Sequence, residues 1–417
     1  MLAFEAIVSG FSYAAQALLL AVLVTAGFLL PSGNPKEMRQ ALILSSAYLL
    51  LAFLIIAATA LLIQGCKLQG GRVPSGETLL RYATLTQSGR IWLGREIFAV
   101  LLAAVAFRIS RQPNDLLHVR LLGFAVVPLL AGRSFMSHAV AVRNDTVLAV
   151  SADATHLVAT SLWAGGLPVL AAVLYSGKKH FNLPLAWAAK LVARFSRLAL
   201  VSVAVLVVTG VYGSWIQVGH LNTFLETDYG NVLLIKIMLA VAMIGLGAIN
   251  FFWTRRKLSG ATNESAEKPI RKQVLTLVGT EGSLAVVVFF VTGVLTVLPP
   301  GVHALHQTAI ASSKTISLAP AEGASVSILS PTPGQVFTTD SVPLSFTLVK
   351  GKHGDHVHAY VDGELMGMFE STTGTLNGIR PGRHDLELRV VAEDHQTELD
   401  AKDRSEFIVK ETKEDLE

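Results

Sequence analysis

Asp153 and His156 stand three residues apart in SADATHLVATSLWAGG, residues 151–166, a stretch that is otherwise small and apolar. At that spacing an imidazole and a carboxylate share one face of a helix. They can bind a metal together, or the carboxylate can orient the ring through its second nitrogen. Thr160 and Trp163 continue the same face. His138 lies just ahead, and Glu96, Arg133 and Lys236 lie in other apolar segments. Ionisable groups in such segments cost a few kcal/mol or more, so they mark a site or a pathway. A second group comes much later. HGDHVHAYVDG holds His353, His356 and His358, and Met366 and Met368 follow. Side chains alternate along a strand, so His356 and His358 share a face, as do the two Met on the next strand. Imidazole with thioether suits copper. The alternative for each His is a polar side chain satisfied by ordinary hydrogen bonds.

The elements that position these residues follow from the apolar pattern. The 417-residue chain is 52% hydrophobic and 15% charged, against about 25% charge in a soluble protein. The deficit lies in residues 1–300. Eight apolar segments of roughly 20 residues, long enough to cross a bilayer, run at 8–30, 41–64, 91–108, 120–142, 148–174, 197–217, 232–253 and 275–298. The third is the shortest. Glu5, with no Lys or Arg ahead of the first run, argues for a retained span rather than a signal peptide. Residues 301–314 read as a linker and 412–417 as a frayed tail. Between them, 315–411 shows short alternating stretches separated by turn signals such as Asp362-Gly363 and Pro381-Gly382. That pattern predicts an immunoglobulin-like β-sandwich. The expected fold is therefore an all-α polytopic membrane domain followed by a small all-β domain.

Loop charges orient the spans. Lys36 and Arg39 follow span one, Arg108 and Arg111 span three, Lys178, Lys179 and Arg194 span five, and Arg255, Arg256 and Lys257 span seven. Loop 65–90, with Lys67, Arg72, Arg81 and Arg90, is the exception among the alternate loops. The bias places the odd-numbered loops in the cytoplasm, and both termini and the β domain outside. His138, Asp153, His156, Glu96 and Lys236 then collect in the outer third of the membrane domain. Arg133 lies deeper and needs a partner such as Asp153 or Glu96. Glu281 and Asn250 form a sparser set toward the cytoplasmic side, read as a structural hydrogen bond or the end of a pathway. The Gly165-Gly166-x-Pro168 run reads as a packing and kink feature.

The net charge of +4 sits in interspan loops and does not indicate nucleic acid. Cys66 is the single cysteine, which excludes an internal disulfide, a CxxC pair and a c-type haem motif. No GxxxxGK[ST] loop and no nucleophile–base pair appears, so the reading is not an enzyme.

SHAVA, ADATHLVATSLWAGGL, RFSRLALVSVAVLVVTGVYGSW, YGNVLLIKIMLAVAMIGLGAINFF and TGVLTVLPP occur in that order, and GRIWLGRE precedes them. Over residues 80–300 the chain resembles the copper resistance protein D family of bacterial membrane proteins. The resemblance implies an eight-span protein of the bacterial plasma (inner) membrane that imports or buffers copper. By position, His138, Asp153 and His156 match the family's residues ahead of and opening span five, with Ser137 where Gly is common. Glu96, Arg133, Trp163, Lys236 and Glu281 would support the site or line the pathway. A periplasmic copper-binding protein is the implied partner, beside the lipid bilayer and the metal. His303 and His306, in the segment after the last span, would pass metal between the two domains. Two other readings stand beside this one. His138 and His156 on adjacent spans would suit the axial positions of a b-type haem in electron transfer. A sensor or assembly factor would use the outer domain to bind a partner.

Overall fold

The computed structural model describes residues 2–136, 146–218, 223–260, 264–298, 319–339, 341–376, 379, 381–392 and 397–410, with 223, 226, 251–260, 264–268 and 364 described by backbone only. The chain divides into two compact units, Met1–Leu305 and His306–Glu417.

Hydrocarbon offers no partner for backbone N–H and C=O groups, so an apolar segment that crosses it closes its own hydrogen bonds as a helix. The first unit contains α1 (Leu2–Val24), continued by a π-helical turn (Thr25–Leu29), then α2 (Lys36–Leu68), α3 (Gly76–Leu85), α4 (Gln87–Ser110), α5 (Leu116–Ser134), α6 (Thr146–Trp163), α7 (Gly166–Lys179), α8 (Leu185–Val218), α9 (Thr223–Glu226), α10 (Asp228–Gly260) and α11 (Glu264–Leu295). Among the described residues, seven stretches are long and apolar enough to cross a membrane, α6 and α7 together forming one of them. The expected span at 91–108 is α4. It has the length, at 24 residues, but Arg90, Arg95, Glu96 and Arg108 dilute its apolar character.

The bundle is organised on α1, which packs against α2, α5, α6, α7 and α11. Ala17, Leu19, Leu20, Ala21 and Leu23 are each 2% exposed or less. A helix apolar on every face belongs inside a bundle. Ala17 and Ala21 join one core with Leu167, Phe195 and Phe289. Leu19, Leu20 and Leu23 join another with Leu50, Ala103 and Val126.

The end of α1 leaves backbone carbonyls without helical partners. Three guanidinium groups from three other helices take them. Arg39 Nε donates to Ala26 O at 3.2 Å, Arg120 Nε to Gly27 O at 3.0 Å, and Arg194 Nη1 to Leu30 O at 2.7 Å. Cations are favourable at a helix C-terminus, so the helix ends carrying the odd-numbered loops converge on one cationic pole. At the opposite end Lys67, from the exceptional loop, is tied to Glu5 at 2.6 Å.

The second unit is a two-sheet sandwich. One sheet has the order β1-β3-β6 and the other β2-β8-β7-β4-β5, with β1 Ser325–Ser330, β2 Gln335–Phe337, β3 Val342–Val349, β4 Gly354–Val361, β5 Glu364–Phe369, β6 Thr373–Leu376, β7 Gly382–Ala392 and β8 Glu398–Val409. Inward residues of both sheets, among them Val342, Leu344 and Phe346 on β3, Val357 and Ala359 on β4, and Leu386 and Leu388 on β7, make one apolar core. It needs no disulfide.

The break between α6 and α7 falls at Ala164-Gly165, and steric room explains it. Gly165 has a φ of −67°, which any residue adopts. A Cβ there would lie 2.6 Å from the carbonyl oxygens of Ala17 and Ser161, and one on Gly166 would lie 2.5 Å from the Phe195 ring. The two glycines let the bend press against α1 and α8. Gly165→Ala should destabilise the purified protein by about 1–3 kcal/mol. Gly213→Ala, where a Cβ meets nothing within 4 Å, should be neutral or slightly stabilising. Thermal unfolding in detergent checks this, and equal melting of the two variants would contradict it.

Candidate functional site

α6 carries Asp153 and His156 on one face. His156 Nδ1 lies 2.9 Å from Thr209 Oγ1 on α8, and that hydroxyl also lies 2.8 Å from Val205 O. A threonine hydroxyl has one proton, and the helix carbonyl takes it. Thr209 therefore accepts from His156, which puts the ring proton on Nδ1 and leaves the lone pair on Nε2, the form that ligates metals. Gly210 faces the ring, and a Cβ there would sit 3.5 Å from it, in ordinary contact. Lys236 on α10 lies within electrostatic reach of both His156 and Asp153. Tyr229, on the same helix, donates to Gln217 of α8.

A second set adjoins through α1. Arg133 Nη1 donates to Ser12 Oγ at 3.0 Å, and its guanidinium stacks on Tyr13 with the carbon 3.9 Å from the ring centre. Gln16 also donates to Ser12 Oγ, at 3.0 Å. This corrects the expected pairing of Arg133 with Asp153 or Glu96. A buried guanidinium gains from a hydroxyl acceptor and an aromatic face without needing a second charge. Arg95 Nε donates to Leu129 O at 3.2 Å, and its Nη1 is 3.9 Å from Met136 Sδ. Glu96 is 8% exposed, near Arg95, and neither carboxyl oxygen has a hydrogen-bond partner among the described residues.

Three helices place this cluster at the pole away from the cationic end. Tyr13 to Ala26 on α1, Arg133 to Arg120 on α5 and Thr209 to Arg194 on α8 each span about 20 Å of helix. The sequence reading did not pick out Ser12, Tyr13, Gln16, Thr209 or Tyr229. Ser12, Tyr13 and Gln16 were visible as polar residues within one turn of an apolar helix. Trp163 belongs to the apolar core with Ala17 and Leu167. Glu281 Oε1 accepts from Asn250 Nδ2 at 3.1 Å, about 21 Å along α10 from Lys236. His138, His303 and His306 lie outside the described residues.

In the sandwich, Val357, Ala359 and Val361 of β4 face the core, so His356, His358 and Tyr360 occupy the other face of the sheet. His356 and His358 are 1% and 3% exposed, and their Nε2 atoms are 3.3 Å apart. His353 is exposed and lies 3.2 Å from Glu322. Met368 stands opposite His358 in register, but the register shifts between Ala359 and Tyr360. Met366 packs against the core instead. The expected common face for the two Met is therefore corrected, because the irregularity breaks strict alternation. Among the described residues no three His, Cys, Asp or Glu side chains converge as a metal-binding group.

The bundle and its internal polar cluster define a multi-pass helical membrane protein with ionisable side chains held inside it, followed by a β-sandwich. The helical unit belongs to the copper resistance protein D family. The family model described as "Copper resistance protein D-like, N-terminal domain" matches residues 3–147, and "Copper resistance protein D" matches residues 189–295. The chain is 29% identical over 244 residues to "Copper transport protein CutJ" of Bacillus subtilis (strain 168), covering 56% of this chain and 42% of the relative. It is 30% identical over 210 residues to "Copper resistance protein D" of Pseudomonas syringae pv. tomato, covering 49% of this chain and 65% of the relative. The match thus spans less than two thirds of either relative. Those names are of copper resistance and transport proteins rather than enzymes, and they lend the haem reading no support. One solved structure, "Structures of Clostridium thermocellum CbhA fibronectin(III)-like modules", matches at 17% identity over 21% of this chain and 99% of that one, with a TM-score of 0.19. At that score it carries no argument.

One electrostatic feature of the sandwich is directly measurable. Burial would raise the Glu398 carboxyl, but His358, Tyr360 and Arg389 around it outweigh burial and hold it at about 2. A depressed carboxylate stabilises the fold fully above its ordinary value of 4.5. That stability fades as pH falls toward about 2. Sheet melting of the full chain should therefore drop between about pH 4.5 and 2, with a shallower slope in Glu398→Gln. An unchanged slope in the variant would contradict this.

Proposed function

We propose that this protein binds copper within the helical bundle at its extracytoplasmic pole and imports the metal or buffers it there. The observation that carries the reading is His156, whose Nδ1 proton is held by Thr209 so that Nε2 keeps a lone pair, on the helix face shared with Asp153. An imidazole fixed through its other nitrogen is the usual form of a metal-ligating His. Asp153 supplies negative charge, and His138 is the further candidate ligand by sequence. Lys236 balances Asp153 when no metal is present. Glu96, Arg95 and Arg133 form the adjoining polar wall, with Arg133 anchored on α1 and Arg95 on Leu129 O.

Orientation follows from the cationic pole. Arg39, Arg120 and Arg194 gather at one end of the bundle, and the positive-inside rule assigns that end to the cytoplasm. The polar cluster, both termini and the sandwich then lie outside the bacterial plasma membrane. Copper is cargo in this reading, delivered by a periplasmic copper-binding protein.

Reporter fusions at residues 180 and 260 should report cytoplasm and one at 350 the outside; a cytoplasmic 350 would overturn the orientation. In cells, His156→Ala should reduce protein-dependent copper accumulation by roughly 10-fold or more at unchanged membrane abundance by immunoblot. Wild-type accumulation in that variant would sink the assignment.

A further inference from the structure

Two imidazoles converge in the β unit in a way that hydrogen bonding in a sheet does not require. His356 and His358 alternate onto the non-core face of β4, and their Nε2 atoms meet at 3.3 Å with ring centres 5.1 Å apart. Each ring turns its other nitrogen toward a carboxylate. His356 Nδ1 lies 3.4 Å from Asp355 Oδ2, and His358 Nδ1 lies 3.5 Å from Glu398 Oε1. Both carboxyls are held in place from their far sides. Lys350 donates to Asp355 Oδ1 at 2.9 Å, and Arg389 donates to Glu398 Oε2 at 2.7 Å. Arg389 also pairs with Glu387 at 2.6 Å, so its charge is shared between two carboxylates.

A carboxylate facing Nδ1 draws the ring proton to that nitrogen. Without metal, one Nε2–H donates to the other Nε2; once both rings carry their proton on Nδ1, facing the carboxylates, both Nε2 lone pairs are available to one metal ion. Two metal–imidazole bonds of about 2.0–2.1 Å span 3.3 Å at a bond angle of about 107°, close to tetrahedral. Among the described residues no third His, Cys, Asp or Glu completes the set. The side chain in register beside His358 on the same face is Met368, on β5. Directly opposed residues of an antiparallel pair have Cβ atoms about 4.5–5.5 Å apart, within reach of a thioether. Two imidazoles and a thioether favour copper(I) over zinc or harder ions.

We propose that His356 Nε2, His358 Nε2 and Met368 Sδ form a copper(I) site in the β unit, distinct from the helical cluster, with Asp355 and Glu398 orienting the two rings. The preference for copper over silver or another soft ion rests on the reading of the helical unit; the two-imidazole site does not.

The test uses the full-length protein carrying His156→Ala, which removes the bundle ligand and keeps the two sites apart. Anaerobic titration with copper(I) against a chromophoric chelator should show one equivalent bound. Adding His356→Gln and His358→Gln should weaken that binding by more than about 10-fold, and Met368→Leu should weaken it less. Circular dichroism and limited proteolysis of each variant confirm that the sandwich is folded. X-ray absorption of the copper-loaded His156→Ala protein should show imidazole scattering and one sulfur neighbour, a readout that needs no substitution in the sandwich. Absence of binding in the His156→Ala protein, unchanged affinity in the folded double Gln variant, or a copper spectrum without imidazole would each overturn the site. Loss of cellular copper accumulation in His156→Ala alone bears on the helical reading and not on this one.

Discussion

A guanidinium placed among membrane helices must find its acceptors inside the protein, because hydrocarbon supplies none. The helical unit is arranged around that constraint, and α1 meets it at its end and near its middle. Its last carbonyls receive Arg39, Arg120 and Arg194. Near its middle, about three turns from its start, Ser12 and Tyr13 receive Arg133. These contacts fix the register of α2, α5 and α8 against α1. They also separate a pole rich in cations from one where acid, base, imidazole and phenol groups meet. His156 inherits its place from this arrangement. α8, positioned by Arg194 at one end, brings Thr209 and Gly210 to the ring at the other.

Much of this was legible in the sequence. Span positions followed from the apolar runs, and the two-sheet sandwich from alternation and turns. The shared face of Asp153 and His156 followed from their spacing alone. Thr209 was not legible, because a threonine in an apolar helix usually bonds only its own backbone. Here it does that and accepts from His156 as well. Arg133 was assigned a carboxylate partner on charge, whereas the structure gives it a hydroxyl and a ring. The two Met were placed on one face by strict alternation, and the irregularity in the β4–β5 pairing moved Met366 to the core. α4 shows the same limit in another form. Its length was readable, but not that Arg95 reaches Leu129 O on α5 and Met136 just beyond that helix.

Both candidate sites orient an imidazole through Nδ1 by different means. In the bundle a threonine hydroxyl does so, a neutral group whose burial costs far less than that of a second charge. In the sandwich two carboxylates lie 3.4 and 3.5 Å from the Nδ1 atoms, each held below its ordinary pKa by neighbouring cations and hydrogen bonds. In both, Nε2 is the atom proposed to ligate.

The central claim is that His156 ligates copper inside the bundle. Copper content of purified full-length His356→Gln/His358→Gln protein, set beside the same protein with His156→Ala added, tests it most directly. The account predicts about one copper per chain in the first and none in the second, as expected when a metal-ligating imidazole is removed. Equal copper in the two proteins would contradict it.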